Sequence, residues 1–254
     1  MSLSEALTEA IRLEGKRSYH PSENFRMSSF GHCVRKQVAM RAGIEPVSPA
    51  DARGLLKMWM GTSLHKAMQA KLEACGFLEP SWTEREVRYR SYVGHVDGLT
   101  RKLTGTDEYG PALVEIKSSS DDAVAKYGWP EHYEWQNLLC VRAVELKRGL
   151  LYQVGRENGL DREKIVLLTE DWKVKIDQEI SLVESGWEVY KTTGNLPSCI
   201  HRFGWEDRTC PYREGRKKKE APEKPVNPND WNPFKQTEHE KELAGWLDKQ
   251  EETK

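Results

Sequence analysis

The chain has 254 residues and a mass of 29.3 kDa, with 39 Lys+Arg against 40 Asp+Glu, so its formal net charge is -1. Hydrophobic residues make up 37% and charged residues 31%, a balance that supports one sizeable core under a strongly charged surface and excludes wholesale disorder. No window approaches the roughly 18 consecutive apolar residues of a membrane span, and Met1-Ser2-Leu3-Ser4-Glu5 lacks the basic and then apolar start of a signal peptide, so a soluble, intracellular (cytoplasmic) protein is expected. The balanced charge argues against nucleic-acid binding by bulk charge alone, so any polyanion has to meet a local patch. Five cysteines, an odd and scattered set, do not fit a secreted disulfide framework and leave metal ligation or plain burial open.

Ser2 to Leu13 carries Leu3, Ala6, Leu7 and Ile11 at helical spacing, which predicts a short amphipathic helix. A second helix is predicted after Ser28-Ser29, through Cys33 to Arg41, with Gly43 as its stop. Leu64, Met68 and Leu72 recur every four residues, so Gly61-Thr62-Ser63 reads as the start of a third helix and Gly76 as its end. The period then changes. Glu86 to Arg90 alternates, Tyr92 to Leu99 is rich in strand formers and Leu113 to Lys117 alternates again, predicting three strands of one antiparallel sheet. Glu131 to Lys147 returns to helix, Gly149 to Val154 and Lys164 to Leu168 read as two further strands, and Asp171 to Thr192 as a long helix. Cys75 and Cys140, on helices, read as small core residues. Beyond Pro197 the chain is irregular, aromatic and basic. It ends in Arg216-Lys217-Lys218-Lys219, a linker with Pro222, Pro225, Pro228 and Pro233, and a charged stretch around Trp246.

The most informative stretch is Val96-Asp97-Gly98 followed by Val114-Glu115-Ile116-Lys117, whose two acids a hairpin can bring together. Side chains alternate along a strand, so Glu115 and Lys117 share a face, about 6.6 Å apart at their backbones, with Ile116 buried opposite. Asp and Glu are hard oxygen donors suited to Mg²⁺ or Mn²⁺, and a lysine beside them can position or help deprotonate a water. An acid-x-Lys strand is also, by itself, an ordinary solvated face. His65 on the preceding helix is an imidazole within the same order of elements, and Gln136 lies on the helix that follows.

In this order, the Cys33 region, Gly61-x3-His65, Gly94-His95-Val96-Asp97-Gly98, Glu115-Ile116-Lys117 and Gln136 resemble the RecB-like branch of the PD-(D/E)XK nucleases, which includes CRISPR-associated exonucleases and the AddB nuclease domain. The resemblance spans roughly residues 28 to 216. It implies an α/β, restriction-endonuclease-like core with a mixed central sheet flanked by helices. It also implies metal ligation by His65, Asp97 and Glu115, a catalytic set of Asp97, Glu115, Lys117 and Gln136, and Mg²⁺ or Mn²⁺ as cofactor. Residues 1–27 would then be an N-terminal helical extension and 217–254 a linker and tail. The family often has Tyr four residues after the Gln, where this chain has Cys140.

Many members of that branch hold an iron–sulfur cluster on one early and three late cysteines. Cys33 and Cys210 match that layout, but Asp207 and Arg216 stand where two further ligands are expected. Cys199 and His201 are substitutes, and Cys33, Cys199, His201 and Cys210 would equally suit Zn²⁺. Buried or free thiols are the plain alternative.

For DNA contact, Arg35, Lys36 and Arg41, with Lys147-Arg148 and the tail lysines, are candidate phosphate partners, and Trp129 and Tyr133 candidate stacking residues. The expected function is a metal-dependent DNA exonuclease of recombination, repair, phage DNA processing or CRISPR adaptation, with DNA ends as substrate and the tail as a site for a protein partner. The alternative is a non-catalytic DNA- or protein-binding module on the same fold.

Overall fold

The computed structural model describes residues 9–10, 20–46, 52–103, 110–199 and 210–213. Contacts divide the chain into Met1–Lys217 and Lys218–Lys254, and all the described residues lie in the first unit. Most of the helix expected at Ser2 to Leu13, His201, Arg216 to Lys219, the proline linker and Trp246 lie outside the described residues.

In chain order the elements are β1 (Phe25–Arg26), α1 (Val34–Arg41), α2 (Ala52–Ala74), β2 (Arg85–Tyr89), β3 (Tyr92–Val96), β4 (Gly98–Thr100) and β5 (Ala112–Ser119), then α3 (Asp121–Lys126), α4 (Glu131–Ala143), β6 (Arg148–Gly155), β7 (Asp161–Leu167) and α5 (Glu170–Thr193). The strands form two sheets, β1-β3-β2 and β4-β5-β6-β7. β5 runs antiparallel to β4 and parallel to β6, so the larger sheet is mixed. A parallel neighbour requires a crossover rather than a tight turn, and α3 and α4 supply it. No helix among the described residues is long and apolar enough to cross a membrane.

The two faces of β5 are both covered. Leu113 packs with Leu138, Leu139 and Leu151 in the core that α4 and α5 close, whereas Ala112, Val114 and Ile116 pack with Leu78, Met68 and Leu72 on the α2 side. Each of Leu78, Leu113, Leu138, Leu139 and Leu151, fully buried, stabilises by about 1.5–3 kcal/mol. The result is a mixed sheet flanked by helices, the α/β architecture expected. Thr169 caps α5 by accepting from Trp172 N, and Ser120 caps α3 by accepting from Ala123 N.

Four expectations are corrected. The run read as three strands of one antiparallel sheet crosses from one sheet to the other, because β3 ends at Val96 paired with Arg85 and β4 begins at Gly98 paired with Val114. Asp97 is the residue between them. The third helix starts at Ala52 rather than Gly61. Leu55 to Met60 are good helix formers, Thr62 Oγ1 donates to Met58 O at 3.2 Å, and Gly61 sits where a Cβ would lie 3.1 Å from Ser118 Oγ. Gly61 is therefore a close-approach position inside the helix and not a start signal. The α4 helix stops at Ala143, short of Lys147. Cys75, expected in the core, is exposed just past the end of α2.

Candidate active site

Asp97 owes its position to the switch between sheets. Gly98 follows it because a Cβ there would lie 2.8 Å from Leu78 Cδ2 and 2.9 Å from Cδ1. Pairing of Gly98 with Val114 then sets Asp97 beside the Glu115–Lys117 segment. Past Val114, β4 no longer pairs with β5, and Asp97 Oδ2 accepts the Ile116 N–H at 2.6 Å in its place. The same oxygen meets His65 Nε2 on α2 at 2.8 Å. Asp97 is 6% exposed, so a carboxylate has been buried where, among the described residues, these partners satisfy it.

Glu115 and Lys117 share a face of β5, as alternation requires, and both turn toward α4. Lys117 Nζ lies 2.6 Å from Glu115 Oε1 and donates to Gln136 Oε1 at 3.0 Å, while Gln136 Nε2 donates to Glu115 Oε1 at 2.7 Å. The Gln136 amide thus fixes both groups of the pair. Tyr133, one turn earlier on α4, places its ring 5.2 Å from Lys117 Nζ. His65 from α2 and Asp97 from the β3–β4 junction thus meet directly, and Glu115 and Lys117 from β5 form a second cluster around Gln136, with Asp97 tied to the Ile116 N–H that lies between them.

Burial sets the electrostatics. It pushes the Glu115 carboxyl up to about 7, against the opposing pull of Lys117, with Asp97 adding to the rise. Lys117 is pulled down by its own burial, but the Glu115 charge and hydrogen bond, then Asp97 and Tyr133, leave it raised. His65 behaves alike: burial lowers it, the Asp97 hydrogen bond and charge and then Glu115 more than reverse that, and the net shift is upward. Two carboxylates, Asp97 and Glu115, thus face one ammonium, Lys117, and the His65 imidazole.

Two residues not singled out by the sequence belong here. Glu84, just before β2, has a carboxylate oxygen within a set of donors from His65, Glu84 and Asp97 that all lie within 4.8 Å of one another. Gln69, 2% exposed and one turn beyond His65, donates to Glu84 Oε1 at 3.0 Å and to Asp97 O at 3.2 Å. The faint signal for Gln69 was its i,i+4 relation to His65; Glu84 lies in Thr83-Glu84-Arg85, where no period marks it. An imidazole nitrogen with hard carboxylate oxygens is a donor set that fits Mg²⁺ or Mn²⁺.

The cysteine candidates gather elsewhere. Cys33, immediately before α1, hydrogen-bonds Cys210, which with the Tyr212 backbone brings the Cys210 thiol down to about 7 despite burial. Cys199 Sγ lies 3.8 Å from Tyr212 O. Among the described residues the set of three ligand-type side chains within 4.8 Å is His65, Glu84 and Asp97, so the three thiols do not form such a set, and His201 lies outside them. Cys140 is core, 1% exposed, with its Sγ 3.4 Å from Met27 Sδ.

Of the DNA-contact candidates, Tyr133 borders the centre. Arg35 donates to the backbone oxygens of Tyr212, Leu196 and Pro197 at 2.8, 3.4 and 3.0 Å, tying the late segments to α1. Arg41 lies 4.5 Å over Phe25 and 4.2 Å over Trp187, and Lys36 neighbours Cys210. Trp129 carries Arg162 4.8 Å above its ring. Arg148 is 2% exposed and donates inward to Gly110 O, so it is a core residue and not a phosphate contact.

No family profile matches the sequence, and no curated protein matches it. Among solved structures the chain is similar to SSO0001, with a TM-score of 0.47 and 18% identity over 84% of this chain and 95% of that one. It is also similar to the alkaline exonuclease LHK-Exo from Laribacter hongkongensis, with a TM-score of 0.45 and 14% identity over 68% of this chain and 93% of that one. The same exonuclease in complex with dAMP gives a TM-score of 0.45 and 13% identity over 63% and 83%.

Proposed function

We propose that this chain is a metal-dependent nuclease that hydrolyses DNA phosphodiester bonds, acting from strand ends. The observation that carries the reading is Lys117 Nζ, held at 2.6 Å by Glu115 and 3.0 Å by Gln136 on the strand that Asp97 ties to His65. His65, Asp97 and Glu115 are the residues that would hold Mg²⁺ or Mn²⁺. Bound there, the cation supplies Lewis-acid polarisation of the scissile phosphate and neutralises charge developing on it.

The chain's own groups do the positioning. Lys117 Nζ, held between Glu115 and Gln136, would donate a hydrogen bond to the attacking water or the phosphate, or help deprotonate that water. Gln136 keeps Nζ from swinging out, since its Oε1 accepts from that group while its Nε2 anchors Glu115. Asp97 fixes β5 through the Ile116 N–H, so the reacting groups are set before substrate arrives. Tyr133, beside Lys117, offers a ring to an unstacked base. The Cys33, Cys199 and Cys210 corner is proposed as a thiol staple of the late segment to α1, with Cys33 hydrogen-bonded to Cys210 and Cys199 Sγ 3.8 Å from Tyr212 O.

The test is cleavage of end-labelled single- and double-stranded DNA with Mg²⁺, Mn²⁺ or EDTA, wild type beside Glu115→Ala and Lys117→Ala. Metal-dependent loss of label in wild type alone supports the nuclease. Undiminished cleavage by both variants overturns it, and bound but uncut DNA in every lane makes the chain a binding module.

A further inference from the structure

We infer that Glu84 is a ligand of the same cation, so that the metal is held from the solvent side by a carboxylate outside the strand motif. The inference rests on the nuclease reading of the site, and it concerns which residues form the cation's cage.

Glu115 is poorly placed to be the principal charge on a cation in the resting protein. Its Oε1 is already engaged by Lys117 Nζ at 2.6 Å and by Gln136 Nε2 at 2.7 Å. Glu84 is the reverse case. It is exposed, and its oxygen shares a 4.8 Å cluster with His65 and Asp97. The sequence between α2 and β2 delivers it there at a conformational expense: Glu84 has φ 54, the left-handed region in which a side chain with a Cβ is strained. A residue without function at this position would more comfortably be glycine.

Gln69 explains how the strain is held. Its amide reaches Glu84 Oε1 at 3.0 Å and Asp97 O at 3.2 Å from inside the fold. On the adjacent turn of α2, His65 reaches the Asp97 carboxylate. One helical face therefore orients both carboxylates toward a common point, as outer-shell amides do around metals. Gln69 is a positioning residue; Glu84 is the ligand.

The experiment is Mn²⁺ titration of the full chain, followed by calorimetry and by loss of the free-ion paramagnetic signal, for wild type, Glu84→Gln, Glu84→Asp, Glu84→Gly, His65→Ala and Asp97→Asn. Glu84→Gln is expected to bind Mn²⁺ roughly tenfold or more weakly, with Glu84→Asp recovering part of the affinity. Glu84→Gly, free of the positive-φ strain, is expected to melt higher than wild type without metal yet gain less on adding Mn²⁺. A purely structural Glu84 would move melting and affinity together. Wild-type affinity in Glu84→Gln and Glu84→Gly, with binding lost in Asp97→Asn, overturns the inference and leaves the nuclease reading standing. Absence of Mn²⁺ binding by wild type overturns both.

Discussion

Asp97 Oδ2 accepts the Ile116 N–H at 2.6 Å and meets His65 Nε2 at 2.8 Å, so a single carboxylate oxygen holds the strand of Glu115 and Lys117 against the helix of His65. The acid that would carry the metal is also the structural joint between the two sheets. Chemistry and folding are consequently coupled at this residue, and they separate by substitution. Asp97→Ala leaves the buried Ile116 N–H unpaired and is expected to destabilise the metal-free protein by about 1–3 kcal/mol. Asp97→Asn keeps an acceptor for that N–H and removes a charge that disfavours ionised Glu115, so its loss is expected to be less than half as large. Both are expected to abolish Mn²⁺ binding. Urea midpoints at neutral pH decide it, and equal losses in the two variants would refute the joint role.

Gln136 contributes through position. Its amide pairs with Glu115 on one side and Lys117 on the other at 2.7 and 3.0 Å. Gln136→Leu keeps the volume and the apolar packing of α4 but frees Lys117 Nζ. It is expected to lower kcat by about 10- to 100-fold with KM for DNA nearly unchanged, the signature of a lost transition-state interaction. Gln136→Glu adds a carboxylate to the buried pair and is expected to be worse folded as well as slower. Steady-state cleavage with thermal melts of the same preparations tests both statements.

The acid-x-Lys strand was legible because period-two alternation survives burial: Ile116 had to face the opposite core from Glu115 and Lys117, and it does. The boundary at Asp97 was not legible. Tyr92 to Leu99 reads as one strand, since a chain that leaves one sheet and joins another through a single residue changes its partners and not its local pattern. Glu84 was invisible for a different reason. The ligand role proposed for it depends on a positive φ and on Gln69, fifteen residues earlier, neither of which leaves a periodic trace. Arg35 and Arg41 read as phosphate contacts from charge alone, whereas the fold engages Arg35 with backbone oxygens and lays Arg41 over aromatic rings.

The raised Glu115 makes the metal-free fold sensitive to pH with a definite sign. Glu115 moves from 4.5 when unfolded to about 7 when folded, so the native state holds this proton more tightly. Its contribution to stability is full below pH 4.5 and is lost as pH rises to about 7, on the order of 1–3 kcal/mol over that window. His65, also raised, contributes in the same direction, its share fading as pH passes its folded value. In EDTA, wild type is expected to weaken between pH 4.5 and 7, and Glu115→Gln to flatten that slope. Mn²⁺ competes with these protons, so its stabilisation is expected to grow over the same range. A Glu115→Gln profile parallel to wild type would show that burial does not govern this carboxyl.

Gly98 joins the site to the core, because a Cβ there would lie 2.8 and 2.9 Å from the two Cδ atoms of Leu78, itself 1% exposed. Gly98→Ala is expected to destabilise by about 1–3 kcal/mol through overpacking. Since Asp97 is its immediate neighbour, the same methyl should push the carboxylate off the Ile116 N–H and weaken Mn²⁺ binding. Leu78→Ala leaves a cavity and destabilises by about 2–5 kcal/mol, but it removes the atoms that the added methyl would strike. The double variant is therefore expected to be more stable than the sum of its parts implies, by about 1 kcal/mol or more, and to recover Mn²⁺ affinity relative to Gly98→Ala. Additive stabilities with affinity still depressed would mean that the methyl disturbs Asp97 through the backbone and not through Leu78, and the four corners of the cycle measure that directly.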